Sequence, residues 1–156
     1  MRILFMCTAN SCRSILSEAL FNHLAPQGFE AVSSGSLPKG QVLPRSLSTL
    51  QQAGISIDGL YSKGNDAFEG HPPDIVISVC DKAAGESCPV YFGPALKSHW
   101  GLEDPSEVTG DEFAIDAAFR ATLAHIERRC KAFLELPLNR LSRDELKTEL
   151  DRIGVL

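Results

Sequence analysis

The stretch Met1-Arg2-Ile3-Leu4-Phe5-Met6-Cys7-Thr8-Ala9-Asn10-Ser11-Cys12-Arg13-Ser14 decides how this chain folds. Arg2 to Met6 is an apolar run of strand length. From Ser14 onward Ile15, Leu16, Ala19, Leu20 and Leu24 recur at helical spacing. Cys7 to Arg13 is therefore a loop between a strand and a helix. Such a loop wraps backbone N–H groups around one point, and the positive end of the helix faces the same point. Together they form a cradle for a tetrahedral oxyanion. Helix N-termini and neighbouring arginines favour thiolate over thiol, so Cys7 at the lip reads as a nucleophile aimed at the bound anion. Arg13 supplies a planar fork that grips two oxygens at once. Asn10 tolerates the left-handed backbone that a tightly curled loop requires, and the Ser14 hydroxyl is placed to donate to the sulfur.

Outward from this loop, strands and helices alternate. Phe29 to Ser33 reads as a second strand, and Pro44 to Ala53 as a helix stopped by Gly54. Residues 58–73 read as loop with one short helix. Asp74 to Cys80, with Ile75, Val76, Ile77 and Val79, has the continuous apolar pattern of a strand buried on both faces. Val90 to Phe92 and Lys97 to Trp100 read as short strands. Thr109 and Glu112 have the spacing of a capping box that opens a long helix, whose stripe is Phe119, Leu123, Ile126, Cys130 and Phe133. A second capping box, Ser142 to Glu145, opens a tail helix with Leu146, Leu150 and Ile153 inward.

The alternation predicts a three-layer α/β/α fold with a mainly parallel, four-stranded central sheet. Residues 1–135 form the main domain, and 136–156 a helical extension packed on it. Ligands bind at the carboxyl ends of such strands. Cys7 and Cys80 each follow an apolar strand and so fall on the same edge of the sheet.

Composition narrows the function classes. With 156 residues, 44% hydrophobic and 22% charged, the chain reads as one globular domain with room for a proper core. A net charge of −5 gives no support for binding nucleic acid or an anionic membrane. No apolar run reaches the roughly 20 residues of a membrane span, and the N-terminus leads straight into the loop rather than resembling a signal peptide. The expectation is a soluble cytoplasmic protein.

Five cysteines stand at 7, 12, 80, 88 and 130. In a reducing compartment such an odd set points to catalysis, redox exchange or metal rather than a structural framework. The spacings of Cys7, Cys12, Cys80 and Cys88 lack the short knuckle of a zinc site, and the histidines at 23, 71, 99 and 125 show no metal spacing, so no metal is expected. Cys130 lies on an apolar helical stripe and reads as core. Cys12, inside the cradle loop, is assigned no redox step. Cys80 and Cys88 bracket a small, polar loop, Asp81-Lys-Ala-Ala-Gly-Glu-Ser87. Two unrelated buried thiols are one reading of the pair. The other is thiol exchange, in which the loop must move to bring successive partners within about 7 Å between Cα atoms. Asp104-Pro105, after Trp100, sets a carboxyl on a restricted turn, either as an ordinary cap or as an acid.

The Cys-Thr-Ala-Asn-Ser-Cys-Arg-Ser stretch resembles the active-site loop of low-molecular-weight protein tyrosine phosphatases. It is still more similar to that of the thioredoxin-coupled arsenate reductases built on the same fold, and the resemblance runs from Met1 to about Phe133. It implies that arsenate is the substrate, held by Thr8, Ala9, Asn10, Ser11, Cys12, Arg13 and Ser14. It also implies that Cys7 attacks arsenic while Asp104 protonates the departing oxygen. Cys80 then attacks Cys7, and Cys88 moves the disulfide outward to Cys80–Cys88, where thioredoxin or a similar donor reduces it. No metal or organic cofactor is implied. Some reductases of the family bind potassium beside the loop through an Asn, a Glu, a Ser and an Asp. Asn10, Glu18 and Ser33 match the first three, and Lys63 stands at the fourth position, where an ammonium would replace the cation and pair with Glu18. Two rivals share the loop. One is a phosphatase that hydrolyses aryl phosphates through Cys7, although residues 36–44 supply none of the aromatic walls it would use. The other is a non-enzymatic module that binds oxyanions or senses oxidation.

Overall fold

Alternation along β1 (Arg2–Cys7) sends Ile3, Phe5 and Cys7 to one face of the sheet and Leu4 and Met6 to the other, and all five are buried. A strand apolar on both faces belongs in the middle of a sheet. The computed structural model describes residues 1–82, 85–86 and 93–156. It places β1 between β2 (Glu30–Gly35) and β3 (Ile75–Ser78), with β4 (Leu96–His99) beyond β3. All three pairings are parallel and the order is β2-β1-β3-β4. The chain thus steps from β1 to one side and then crosses to the other. Strand order reverses beside β1, and the crevice of such a sheet opens at the carboxyl end of that strand.

Helices α1 (Arg13–Leu24), α2 (Pro44–Gln52), α3 (Glu112–Leu134) and α4 (Arg143–Ile153) follow in chain order. Each helix contributes buried apolar residues to one core on the Phe5 side of the sheet, which includes Leu16, Leu20, Leu50, Phe119, Phe133 and Ile153. Phe21 ties it together, with its ring 6.1 Å from Phe5 and 5.8 Å from Phe133. The opposite face carries a smaller cluster of Leu4, Met6, Val76 and Ala95, which Phe68 of the 3-10 turn Asn65–Phe68 covers in part.

Most boundaries lie within two residues of those expected. β2 runs on to Gly35 because its ladder with β1 continues through the Cys7–Gly35 pair. Gly54 follows α2 at φ +75°, the left-handed position that stops a helix. The start of α3 corrects the expected capping box. The cap is Asp111, whose side chain accepts the Ala114 N–H at 2.8 Å, and Thr109 lies outside the helix behind Gly110 at φ +129°. That carboxylate accepts one of the free N–H groups of the first turn, the role a capping Thr109 would have filled. The strand expected at Val90–Phe92 lies outside the described residues.

The tail helix is integral to the packing. Ser142 and Glu145 form the capping box, and Leu150 and Ile153 are fully buried. The Trp100 Nε1–H donates to the Leu150 carbonyl at 2.9 Å. Arg129 of α3 donates to the carbonyls of Gly101 and Gly154, joining the end of α4 to the loop after β4. Leu150→Ala is expected to destabilise the fold by about 2–5 kcal/mol, measured by urea unfolding. A loss below about 0.5 kcal/mol, the range of ordinary surface changes, would mean that α4 docks only loosely. Among the described residues no helix is long and apolar enough to cross a membrane.

Candidate active site

The cradle follows from where its carbonyls go. The carbonyls of Cys7, Thr8, Ala9 and Ser11 accept hydrogen bonds from the N–H groups of Ser36, Leu37, Lys39 and Leu43, at 3.2, 2.9, 3.0 and 3.1 Å. The Cys12 carbonyl accepts the first bond of α1 from Leu16, at 2.8 Å. In a planar trans peptide the next residue's N–H points opposite to the carbonyl. Pulling these carbonyls into the segment after β2 and into α1 therefore turns the N–H groups of Thr8, Ala9, Asn10, Cys12 and Arg13 the other way. Asn10 makes the bend at φ +48°, the one non-glycine left-handed residue among those described, and its N–H donates to Cys7 Sγ at 3.3 Å. Gly35 lets β2 approach. A Cβ there would stand 2.5 Å from the Thr8 oxygen and 2.9 Å from the Asn10 nitrogen.

Cys7 is a buried free thiol whose sulfur lies 2.9 Å from Ser14 Oγ. Beneath it lies a polar network of buried side chains. Asn10 Nδ2 donates to Ser14 Oγ at 2.8 Å and to Ser33 Oγ at 3.0 Å, and Ser33 Oγ donates to Glu18 at 2.6 Å. Lys63 closes the network from the opposite side. Its backbone N–H donates to Asn10 Oδ1 at 2.9 Å, and its ammonium reaches Glu18 and Ser33 Oγ, each at 3.3 Å, and the Tyr61 carbonyl at 3.0 Å. The ammonium also lies 4.5 Å from the centre of the Tyr61 ring. Every member of the network has a partner, the condition under which a buried polar cluster rigidifies its surroundings.

Arg13 and Asp104 meet at the mouth. Arg13 Nη2 stands 3.5 Å from Asp104 Oδ2, and Nη1 donates to the Leu102 carbonyl at 3.2 Å. Asp104 caps the 3-10 turn Pro105–Glu107, its other oxygen accepting the Ser106 N–H at 2.9 Å and hydroxyl at 2.6 Å. An open cleft of about 730 Å³ runs from Asp81 past Asp104 to His125. The sequence reading missed Glu86, whose carboxylate takes both ends of the Arg13 fork at 2.6 and 2.8 Å. Hydrogen bonds from Arg13 hold the Glu86 carboxyl below the usual carboxylate range, against the opposing effect of burial. Its only sequence signal was a carboxylate inside the Cys80–Cys88 bracket.

The remaining cysteines differ in kind. Cys80 lies two residues beyond the end of β3, is fully buried and is disulfide-bonded. Val79, just before it, donates its N–H to the Met6 carbonyl at 2.9 Å, which keeps this segment beside the end of β1. Cys88 lies outside the described residues. Burial pushes the thiols of Cys12 and Cys130 up to about 12, which leaves them protonated and poorly nucleophilic at neutral pH. Among the described residues no group of three or more His, Cys, Asp or Glu side chains is arranged to hold a metal ion.

Comparison with known proteins agrees with this geometry. Residues 2–149 match the family model described as low molecular weight phosphotyrosine protein phosphatase. An arsenate reductase of Bacillus licheniformis is 32% identical over 133 residues, covering 85% of this chain and 94% of its own length. The solved arsenate reductase of Archaeoglobus fulgidus superposes with a TM-score of 0.72 at 26% identity, over 86% of this chain and 99% of that one. A thioredoxin-dependent arsenate reductase of Corynebacterium glutamicum gives a TM-score of 0.55 at 26% identity, over 83% of this chain and 61% of that one. The chain belongs to the low molecular weight phosphotyrosine protein phosphatase family, and over most of its length it is similar to the arsenate reductases built on that fold.

Proposed function

We propose that this protein reduces arsenate to arsenite in the cytoplasm, as a detoxifying enzyme, through a relay of Cys7, Cys80 and Cys88. Arsenate binds the N–H groups of the Cys7–Arg13 loop and the Arg13 fork. The Cys7 thiolate attacks arsenic, and Asp104 gives its proton to the oxygen that leaves as water. The Cys80 thiolate then attacks the Cys7 sulfur. The sulfur–arsenic bond breaks, its electron pair stays on arsenic, and arsenite departs from a Cys7–Cys80 disulfide. Cys88 attacks Cys80 and releases Cys7 as thiolate. The Cys80–Cys88 disulfide that remains is reduced by a thioredoxin-type dithiol, which is itself oxidised. Each sulfur step is ordinary thiolate–disulfide exchange.

The observation that carries this reading is the distribution of sulfur: Cys7 is free in the cradle while Cys80, two residues beyond the neighbouring parallel strand, is disulfide-bonded. That is the state expected once the disulfide has moved off the nucleophile. The thioredoxin-dependent relative supports the choice of donor. NADPH consumption with arsenate, thioredoxin and thioredoxin reductase tests it. Sustained turnover is expected, and its absence beside robust aryl-phosphate hydrolysis would favour the phosphatase reading, which the family description and the shared loop also support.

In this reading Lys63 supplies the positive charge that some relatives take from potassium. Its ammonium already neutralises Glu18 and contacts Ser33, so exchanging sodium for potassium is expected to leave kcat and KM unchanged. Lys63→Asp sets two carboxylates side by side, and its activity is expected to fall and to recover with potassium. A several-fold potassium activation of the wild type would contradict the assignment.

A further inference from the structure

We infer that Glu86 is an internal competitor for the oxyanion: with Cys80 disulfide-bonded, its carboxylate holds the Arg13 fork and must leave before substrate can bind. The inference rests on the arsenate-reductase reading and extends it to when the cradle is open.

A carboxylate and a tetrahedral oxyanion use the same donors. Arg13 gives Nη1 and Nη2 to the two oxygens of Glu86, and spends further contacts on Leu102 and Asp104. The bidentate fork is the geometry by which guanidinium selects planar carboxylates and phosphate-like groups. A second anion arriving beside an intact Arg13–Glu86 pair finds the fork taken and meets a like charge in a partly buried site. The Arg13 side chain is only 7% exposed and that of Glu86 24%, so solvent screens the repulsion poorly.

Glu86 is also placed by the two parts of the site that matter to the cycle. Thr8, a cradle residue, donates its hydroxyl to Oε1 at 3.4 Å, and the Asp81 N–H, one peptide beyond Cys80, donates to Oε2 at 2.8 Å. The Glu86 N–H returns to the Asp81 carbonyl at 3.0 Å, and Gly85 N–H to Lys82 at 3.0 Å, with Gly85 at φ +83°. The carboxylate is thereby tied to Asp81, the residue after Cys80, through both the side chain and the backbone of Glu86. The consequence is an ordering of steps. While Cys80 is oxidised it cannot complete a reduction, and in that state Glu86 keeps fresh oxyanion from the liberated Cys7.

Inorganic phosphate is the probe, titrated calorimetrically into the full chain in its disulfide form and after reduction, for wild type, Glu86→Gln and Glu86→Ala. Loss of a charge-assisted pair corresponds to about 10- to 100-fold in affinity, so both variants in the disulfide form are expected to bind phosphate tighter than wild type by that factor. Reduced wild type is expected to bind nearly as tightly as the variants. Equal or weaker binding by both variants would overturn the inference and leave the cradle reading standing. A reduced wild type that binds as weakly as its disulfide form would overturn the link to Cys80. No phosphate binding by any protein in either form would overturn the oxyanion cradle itself, and this inference with it.

Discussion

Cys7→Ser is expected to abolish arsenate reduction and any aryl-phosphate hydrolysis together, each by at least about 10⁴-fold in kcat. The size of the effect follows from what the site does with the sulfur. Asn10 N–H and the Ser14 hydroxyl stand at 3.3 and 2.9 Å from it, positions from which they can donate to a thiolate. A serine hydroxyl at the same place stays protonated at neutral pH, and the described site offers it no adjacent base. The replacement is nearly isosteric and keeps both hydrogen-bond partners, so urea unfolding is expected to change by less than about 1 kcal/mol, in keeping with volume-conserving swaps. Residual reduction above one-hundredth of wild type, in a folded variant, would remove Cys7 from the nucleophile's place.

On the proposed relay, Cys80→Ser is expected to separate the two chemistries that would share Cys7. Arsenate reduction needs a second thiolate to accept the sulfur–sulfur bond while arsenic takes the electron pair. Hydrolysis of a thiophosphate needs only water and the acid. The variant is therefore expected to lose multiple-turnover reduction down to the rate without enzyme, and to retain aryl-phosphate hydrolysis within about threefold, a factor worth less than 1 kcal/mol in the barrier. Stopped assays of arsenite release and of aryl-phosphate cleavage on the same preparation read both. Since Cys80 is fully buried just beyond β3, Cys80→Ala is the companion variant: it leaves no unpaired hydroxyl in the core, and the same divergence is expected of it. Equal loss of both activities in both variants would assign Cys80 to structure instead.

Much of this architecture could be read from local pattern. The apolar run, Cys7, the polar loop and the helix after it form one continuous signal, because strand, oxyanion loop and helix start are built from consecutive residues. β3 was legible because burial on both faces leaves an unbroken apolar run, and the tail helix because Ser142 and Glu145 cap each other within one turn. The cap of α3 was misplaced to Thr109 since a box at that spacing competes with a neighbouring carboxylate, and only the backbone bend at Gly110 decides for Asp111. Glu86 was illegible for a different reason. Its partner Arg13 is 73 residues away, and nothing in a small polar loop tells which side chain turns inward. Long-range ion pairs depend on where two loops meet at the sheet edge, which periodicity does not encode. Lys63 is the intermediate case. Its place opposite Glu18 came through the resemblance, whereas its bonds to the Tyr61 carbonyl and ring required the fold.

The central claim is that electrons for arsenate come from this chain's own thiols, and one single-turnover experiment addresses it directly. Fully reduced protein, freed of reductant and given excess arsenate without any donor, is quenched and assayed for arsenite, for remaining thiols and for disulfide position by peptide mass. The account predicts one arsenite per chain and two of the five cysteines lost as thiols, in a disulfide that joins Cys80 to Cys88, with Cys7 still alkylatable. No arsenite and no loss of thiols, with aryl phosphate still hydrolysed, would contradict it and leave the cradle as that of a phosphatase.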